Sequence, residues 1–133
     1  MGEFIKVLTK VYAIEHGVQF DEYSVYNGDI PYFDVALNKW YTPYIGYAVR
    51  QGLLDAIGIQ LGAVRILKPA APISKANAAA MLKNAGIMED YTLSLGFGRY
   101  LKRKDMAATI VEAFGETFAN YRYVFGNNID TYA

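Results

Sequence analysis

The sequence predicts a mainly α-helical domain, built as a small pseudo-symmetric bundle with long loops and little or no sheet. Two observations carry this prediction. Apolar residues recur at helical spacing in four segments of the chain, and three of these segments begin with similar residues, as an internal repeat would. The chain has 133 residues, and single domains cluster at about 100–150 residues. We therefore expect residues 1–133 to form one domain.

The first two predicted helices lie in the N-terminal half of the chain. Residues 4–14 form one apolar stripe, and Gly17 follows at a C-cap position. The next helix is expected over Thr42–Leu53, with its first residue as the N-cap and Pro43 just inside it. Residues 18–32 between these helices are polar and turn-rich, which predicts a long loop. The packed side of the second helix is predicted to consist of Tyr44, Ile45, Ala48, Val49 and Gly52.

The C-terminal half is predicted to contain two more helices and at most one short strand. A glycine-spaced stretch has room for that strand around residues 63–67. Ser74 is suited to cap a third helix that runs to Ala85. A fourth helix is expected over residues 103–114, and the tail extends it to about Phe125. The third helix is expected to pack closely through Ala76, Ala79, Ala80 and Leu82.

The composition excludes several classes of protein. The chain has no cysteine, which excludes a disulfide scaffold, a thiolate zinc site and a cysteine nucleophile. Its 13 basic and 13 acidic residues balance, which argues against a nucleic-acid binder because such a surface needs net positive charge. No apolar stretch reaches the ~20 residues of a membrane span. Twelve tyrosines favour sugar binding or a hydrated interface, because tyrosine combines an apolar face with a hydrogen-bonding tip.

No residue pattern predicts catalysis. His16 is the single histidine and has no metal-ligating partner at helical spacing, and no serine lies in a Gly-x-Ser-x-Gly elbow. Gly96–Gly98 lacks the other residues of a phosphate loop. Nothing singles out a carboxylate pair for glycoside cleavage, so we expect no enzymatic activity, no metal and no cofactor. An EF-hand calcium loop would need a different spacing of Asp21, Glu22 and Asp29.

Ordered motifs between residues 32 and 86 resemble one repeat of the S-layer homology (SLH) family. Tyr32–Val35 matches its opening F-x-D-V stretch, and Trp40 stands where the family has a tryptophan before a helix. The family's helix ends near Gly-Leu or Gly-Ile, which matches Gly52–Leu54. Ile73–Asn77 then resembles the I-T-R-x-E motif that precedes the second helix of the repeat.

Two partial repeats flank this near-complete repeat. Residues 1–17 resemble the second half of a preceding repeat, and residues 101–115 resemble the same half of a following one. Only fourteen residues, 87–100, separate the third and fourth helices, so the first half of that following repeat does not fit between them. Residues 116–133 form a C-terminal tail. The resemblance implies a three-pronged helical spindle. Its third repeat is half missing, or the first helix of that repeat comes from the tail or from another chain.

The resemblance also implies a function and a binding site. SLH domains attach surface proteins non-covalently to a cell-wall polysaccharide, which often carries pyruvate. Lys75 and Arg103 occupy the family's arginine position at helix starts, where backbone N–H groups would help them hold the acidic group. Trp40 would stack on the sugar, and Asp34 would accept hydrogen bonds from its hydroxyls. The tyrosines expected to line the groove are Tyr32, Tyr41, Tyr44 and Tyr47.

Each of these residues also has a purely structural interpretation. Trp40 can be a packed anchor at a helix start, and Asp34 a carboxylate that stabilises a turn. Lys75 and Arg103 can be solvated charges on a helix surface. The chain also departs from the motif, because Lys75 lacks the planar fork of arginine and Asn77 replaces the motif's acid.

The resemblance places the protein outside the cell, in a bacterial cell wall or S-layer, with a wall polysaccharide as its partner. Residues 1–6 lack the basic and apolar regions of a secretory signal, so this location rests on the resemblance alone. The alternative is a protein-interaction or self-assembly module of a surface layer, without glycan binding. The half-missing repeat favours this alternative, because a spindle lacking one helix exposes an apolar groove that a partner protein or a second copy can fill.

Overall fold

The computed structural model describes residues 1–18, 30–86, 100–102, 105, 106 and 110 of the chain. The predicted mainly helical character is confirmed for this part, and none of its helices is long and apolar enough to cross a membrane. In chain order its elements are helix α1 (Gly2–Glu15), helix α2 (Thr42–Arg50), strand β1 (Ile59–Leu61), strand β2 (Val64–Ile66) and helix α3 (Lys75–Asn84).

Helix α1 contributes a large part of the core and packs against α2. The side chains of Phe4, Ile5 and Leu8 in its apolar stripe are almost completely buried. Removing each such side chain from water stabilises the fold by about 1.5–3 kcal/mol. The helix ends where predicted. Gly17 follows its last turn with a φ of +65°, a left-handed conformation that glycine adopts without strain.

Helix α2 begins differently from the prediction. Its N-cap is Tyr41, which makes no capping hydrogen bond with its side chain, so the expectation that Thr42 caps the helix is wrong. Thr42 is already helical, and its hydroxyl is used by the preceding turn instead. It donates to the carbonyl of Ala36 at 2.5 Å and accepts from the backbone N–H of Lys39 at 3.1 Å. The first turn of α2 is thereby tied to the turn that carries Trp40.

The end of α2 lies at Arg50, before the predicted end at Leu53. Gly52 adopts a φ of +75°, and the N–H of Leu53 bonds back to the carbonyl of Ala48 at 2.9 Å, as at many helix C-termini. Leu53 is fully buried, so its apolar character continues the stripe after the helix has stopped. The packed side is confirmed for Tyr44, Ile45 and Ala48, which are buried, and for Val49, which is partly buried.

Strands β1 and β2 form an antiparallel hairpin. Leu61 lies opposite Val64 across a two-residue turn, in which Gly62 has the positive φ, +60°, that tight hairpin turns favour. Strand β2 lies within the predicted segment 63–67, whereas β1 was not predicted. A strand of three residues is too short to show a clear alternation of apolar and polar side chains.

The turn before β1 is crowded around one glycine. Gly58 has a φ of +118°, and a Cβ there would lie 2.8 Å from Cε1 of Tyr32 and 2.9 Å from Nε of Arg65. Both neighbours donate hydrogen bonds to the carbonyl of Ile57, the tyrosine hydroxyl at 2.7 Å and the guanidinium Nε at 3.1 Å. Burial raises the pKa of Tyr32, which keeps its hydroxyl protonated and able to donate. Only glycine fits this arrangement.

Helix α3 begins and ends as predicted. The side-chain oxygen of Ser74 accepts from the backbone N–H of Asn77 at 3.1 Å, and Gly86 takes a φ of +80° after the last turn. The predicted packing surface is confirmed for Leu82, which is buried, and for Ala79 and Ala80, which are partly buried against the core. It is wrong for Ala76, which is exposed. The buried stripe follows i, i+3, i+4 spacing from another alanine and consists of Ala78, Met81 and Leu82.

The predicted fourth helix is described at Asp105, Met106 and Ile110, and all three residues are helical. Met106 and Ile110 are buried, as its apolar stripe requires. The rest of this helix, the loop residues 19–29 and 87–99, and the tail 116–133 lie outside the described residues. The repeats and the spindle therefore stay predictions.

Candidate functional site

A cavity of about 680 Å³ lies where the beginning of α1 meets the segment that leads into α3. Its volume falls within the ~300–1,000 Å³ that is usual for small-molecule sites. Residues from four parts of the chain line it, and they include apolar, aromatic and charged side chains. They are Met1, Glu3, Trp40, Pro69, Ala70, Ala71, Pro72, Ile73, Tyr100, Leu101, Lys102 and Met106.

Backbone hydrogen bonds hold the walls of this cavity together. The N–H of Gly2 donates to the carbonyl of Pro69 at 2.8 Å, and the N–H of Leu101 donates to the carbonyl of Ile73 at 3.0 Å. These bonds join the start of α1 and the residues before the predicted fourth helix to the segment before α3. The cavity therefore lies beside the starts of the three helices that the repeat prediction aligns.

Trp40 lies in the cavity wall with about half of its surface, 52%, exposed to solvent. Its ring meets Tyr41 edge-on, with 5.4 Å between the ring centroids. A Cβ on Gly2 would lie 3.3 Å from Cη2 of the indole, so glycine at this position lets the ring approach the backbone of α1 closely. This position gives a fixed aromatic face beside a cavity, which a flat apolar ligand surface can contact.

Asp34 is occupied by the backbone. Its Oδ1 accepts from the N–H of Leu67 at 2.9 Å, and its Oδ2 accepts from the N–H of Lys68 at 2.7 Å. Lys68 has a φ of +57°, a left-handed conformation that costs about 1–2 kcal/mol outside glycine. Asp34 therefore holds the turn that leads from β2 to the cavity wall. It does not line the cavity itself, and this geometry matches its structural interpretation.

Lys75 is the first residue of α3, and its charged end is buried. Its Nζ has no hydrogen-bond partner in the part of the chain that the structure describes. A buried ammonium without a partner is costly, because the effective desolvation penalty of an ion is several kcal/mol. A bound anion would compensate this charge. Lys75 is not among the described residues that line the cavity, so the structure does not bring it together with Trp40 in that wall.

Arg103 lies outside the described residues, but its neighbour Lys102 lines the cavity. Among the described residues of the wall, Lys102 and Glu3 carry the charged side chains, and Tyr100 adds a second exposed aromatic ring. The sequence indicates Lys102 only as part of a basic run with Arg99, Arg103 and Lys104, which could contact a polyanion or be a solvated face, and it does not indicate Tyr100. The signal was present, because Glu3 is the acid of the first partial motif and Lys102 directly precedes Arg103.

The N-terminal amino group of Met1 also belongs to this wall. It donates to the carbonyl of Ala71 at 2.6 Å. Burial lowers its pKa to about 6, and the nearby carboxylate of Glu3 opposes this shift only in part.

The tyrosines near Trp40 do not form the groove that the sequence predicts. Tyr32, Tyr44 and Tyr47 are buried, so the expectation of a hydrated surface is wrong for all three. Burial is tolerated at Tyr32 because its hydroxyl donates to the carbonyl of Ile57. Tyr41 is half-buried.

The described residues contain no group of three or more histidine, aspartate or glutamate side chains that could hold a metal ion. Comparison of the chain with family models, with curated proteins and with solved structures gives no match. The resemblance to the SLH family accordingly rests on the sequence motifs alone.

Proposed function

We propose that this protein anchors a surface protein non-covalently to an anionic cell-wall polysaccharide. The observation that carries the proposal is the placement of Trp40, the single tryptophan of the chain, half exposed on the wall of a 680 Å³ cavity. A flat, half-exposed indole beside a cavity with a few polar side chains suits the apolar face of a sugar ring. The resemblance to SLH repeats assigns the same tryptophan to the sugar.

The acidic group of the polysaccharide needs cationic partners, and the proposal assigns this role to Lys75 and Arg103. The buried ammonium of Lys75, which has no hydrogen-bond partner among the described residues, supports it, since an anion that reaches Nζ would neutralise this buried charge. Lys102, which precedes Arg103 in the sequence, lines the cavity wall and adds a cationic side chain there. Asp34 contributes by holding the cavity wall. The proposed location is the bacterial cell wall or S-layer.

The test is a pull-down with purified wall polysaccharide, before and after removal of its pyruvate. We expect wild type to bind the untreated polymer, and Trp40→Ala and the double variant Lys75→Ala with Arg103→Ala to lose at least about tenfold in affinity, or ~1.4 kcal/mol. Lys83→Ala is the matched control, because it removes an exposed lysine from the last turn of α3. Unchanged binding by Trp40→Ala and by the double variant overturns the proposal.

A second candidate function is self-assembly or protein interaction within a surface layer, without glycan binding. A specific observation favours it: several large apolar side chains away from the cavity are exposed, namely Phe33, Leu37, Ile59 and Leu61. Contiguous exposed apolar surface marks protein contacts in many proteins. Mass measurement in solution distinguishes the two functions. A dimer or larger oligomer supports self-assembly, and a monomer at high concentration argues against it.

A further inference from the structure

We propose that the binding surface continues beyond the cavity along α1, where Lys6 and Lys10 bind further acidic units of the polymer. This inference rests on the proposed function and deepens it. The ligand becomes a polyanionic chain that is held at several units, rather than one acidic sugar held at helix starts.

Two lysines of α1 lie over aromatic rings. The Nζ of Lys6 is 5.9 Å from the ring centroid of Trp40 and 5.7 Å from that of Tyr44, and the Nζ of Lys10 is 5.9 Å from the centroid of Tyr44. Aromatic faces attract cations at these distances. The two ammonium groups are therefore directed toward the aromatic side chains at the start of α2.

These four residues form a strip that is continuous with the cavity. Trp40 belongs to both, because it lines the cavity and also contacts Lys6. On α1, Glu3 lines the cavity, Lys6 follows one turn later and Lys10 one turn after that. Residues at this spacing share one face of a helix, and four residues correspond to ~6 Å along its axis. The cationic groups thus lead away from the cavity in steps of one helical turn.

The charge of this strip points to an anionic ligand. In the described part of the chain, Lys6 makes cation–π contacts and no ion pair, so its charge is not neutralised by a carboxylate there. An ammonium group attracts carboxylate and phosphate alike, and the half-exposed ring of Trp40 offers an apolar face for a sugar unit. A polysaccharide with repeated acidic substituents combines these features.

The experiment uses the emission of Trp40, which is the only tryptophan, to follow titration with intact wall polysaccharide. We expect Lys6→Met, which keeps the apolar stem and removes the charge, to weaken binding about fivefold, the loss of one exposed ion pair. Polymer binding by Lys6→Met should also depend less on salt concentration than binding by wild type, because one electrostatic contact that salt screens is missing. Lys6→Arg should bind like wild type, and Lys83→Met is the control on an exposed lysine of α3. Polymer stripped of pyruvate, and separately of phosphate, identifies which acidic group Lys6 contacts.

The outcomes separate the two proposals. If wild type binds the polymer and folded Lys6→Met binds it equally well, the strip is overturned and the anchoring function stands. If wild type shows no binding, both are overturned. Equal losses in Lys6→Met and Lys83→Met indicate a general effect of charge and also overturn the strip. A thermal melt of each variant confirms that it is folded.

Discussion

The cavity and the β-hairpin expose apolar side chains in two different settings. At the cavity, the exposed ring of Trp40 lies in one wall with Glu3 and Lys102, and Lys6 lies over the ring. At the hairpin, the strand pairing places exposed side chains on one face without a charged residue among them, namely Ile59, Leu61 and Val64. An aromatic ring among charges suits a polar ligand, whereas an uncharged apolar face suits a protein surface. The same chain therefore exposes two surfaces of different chemical character.

Asp34 lies between these two regions. Its carboxylate accepts from the backbone of Leu67 and Lys68, which follow β2 and directly precede the cavity-lining residue Pro69. Changes at Asp34 are expected to affect both regions, while changes within one region should leave the other intact. The following predictions test this separation.

The largest effect is expected for Asp34→Ala. This change removes two charge-assisted hydrogen bonds and leaves two backbone N–H groups without their acceptor, so we expect the free energy of unfolding to fall by about 2–3 kcal/mol. Urea unfolding measures this loss, and the pull-down should show weaker polymer binding as well. Asp55→Ala is the control, because Asp55 is exposed. Stability equal to wild type in Asp34→Ala contradicts the role assigned to this carboxylate.

Lys75→Met is expected to separate stability from binding. The buried ammonium of Lys75 has no hydrogen-bond partner in the described part of the chain, so replacing it with an apolar side chain should raise the free energy of unfolding of the ligand-free protein by about 1–2 kcal/mol. The same variant should bind the polymer more weakly. Urea unfolding with and without polymer measures both effects, and Lys83→Met serves as the control. A less stable Lys75→Met protein means that the ammonium has a favourable environment in the fold.

Leu61→Thr tests the hairpin alone. Leu61 is 53% exposed and threonine keeps a high strand propensity, so stability should change by less than about 0.5 kcal/mol. Polymer binding should be unchanged. If the hairpin face is a contact between copies, the average mass at high protein concentration should decrease. Trp40→Ala is the reciprocal control, since it should weaken polymer binding and leave the mass unchanged.

The last prediction concerns the amino group in the cavity wall. The pKa of this amine is about 6 in the folded protein, where burial lowers it, and 8.0 in an exposed chain. The unfolded chain therefore binds more protons than the folded protein when the pH lies between these two pKa values. Stability should therefore rise with pH across this window and level off on both sides. Urea unfolding below, within and above the window measures the slope. Acetylation of the amine should abolish the slope, and an unchanged slope argues against its burial.

The sequence was sufficient to predict a helix end or cap where a single residue determines the local backbone conformation. Gly17 and Gly86 mark the ends of α1 and α3, and Ser74 caps α3 through its own side chain. These features are local, so they can be read without the rest of the fold. The end of α2 was predicted too late because Leu53 is apolar for a reason outside the helix: it belongs to the core through the turn that follows.

The candidate site could be predicted only in part, because it depends on contacts between distant residues. The sequence indicated Trp40 as a site residue, and the structure places it on a cavity wall. The burial of Lys75 and the contact of Lys6 with Trp40 could not be derived from helical periodicity, which gives the face of a residue but not its neighbour. For Asp34, the sequence pattern could not distinguish a glycan-binding role from a turn-stabilising role. The two backbone N–H groups that donate to its carboxylate favour the turn-stabilising role.

The crowded turn at Gly58 has a consequence for finding related proteins. Any side chain there would overlap Tyr32 and Arg65, and both of those residues share one carbonyl acceptor. A relative that keeps this arrangement must keep all three residues at their separations, even after most of its surface has diverged. The sequence signature of this turn is therefore short. It consists of a tyrosine, an aspartate two positions later, a glycine twenty-six positions after the tyrosine and an arginine seven positions after the glycine. Genomes can be searched for it when overall similarity has faded.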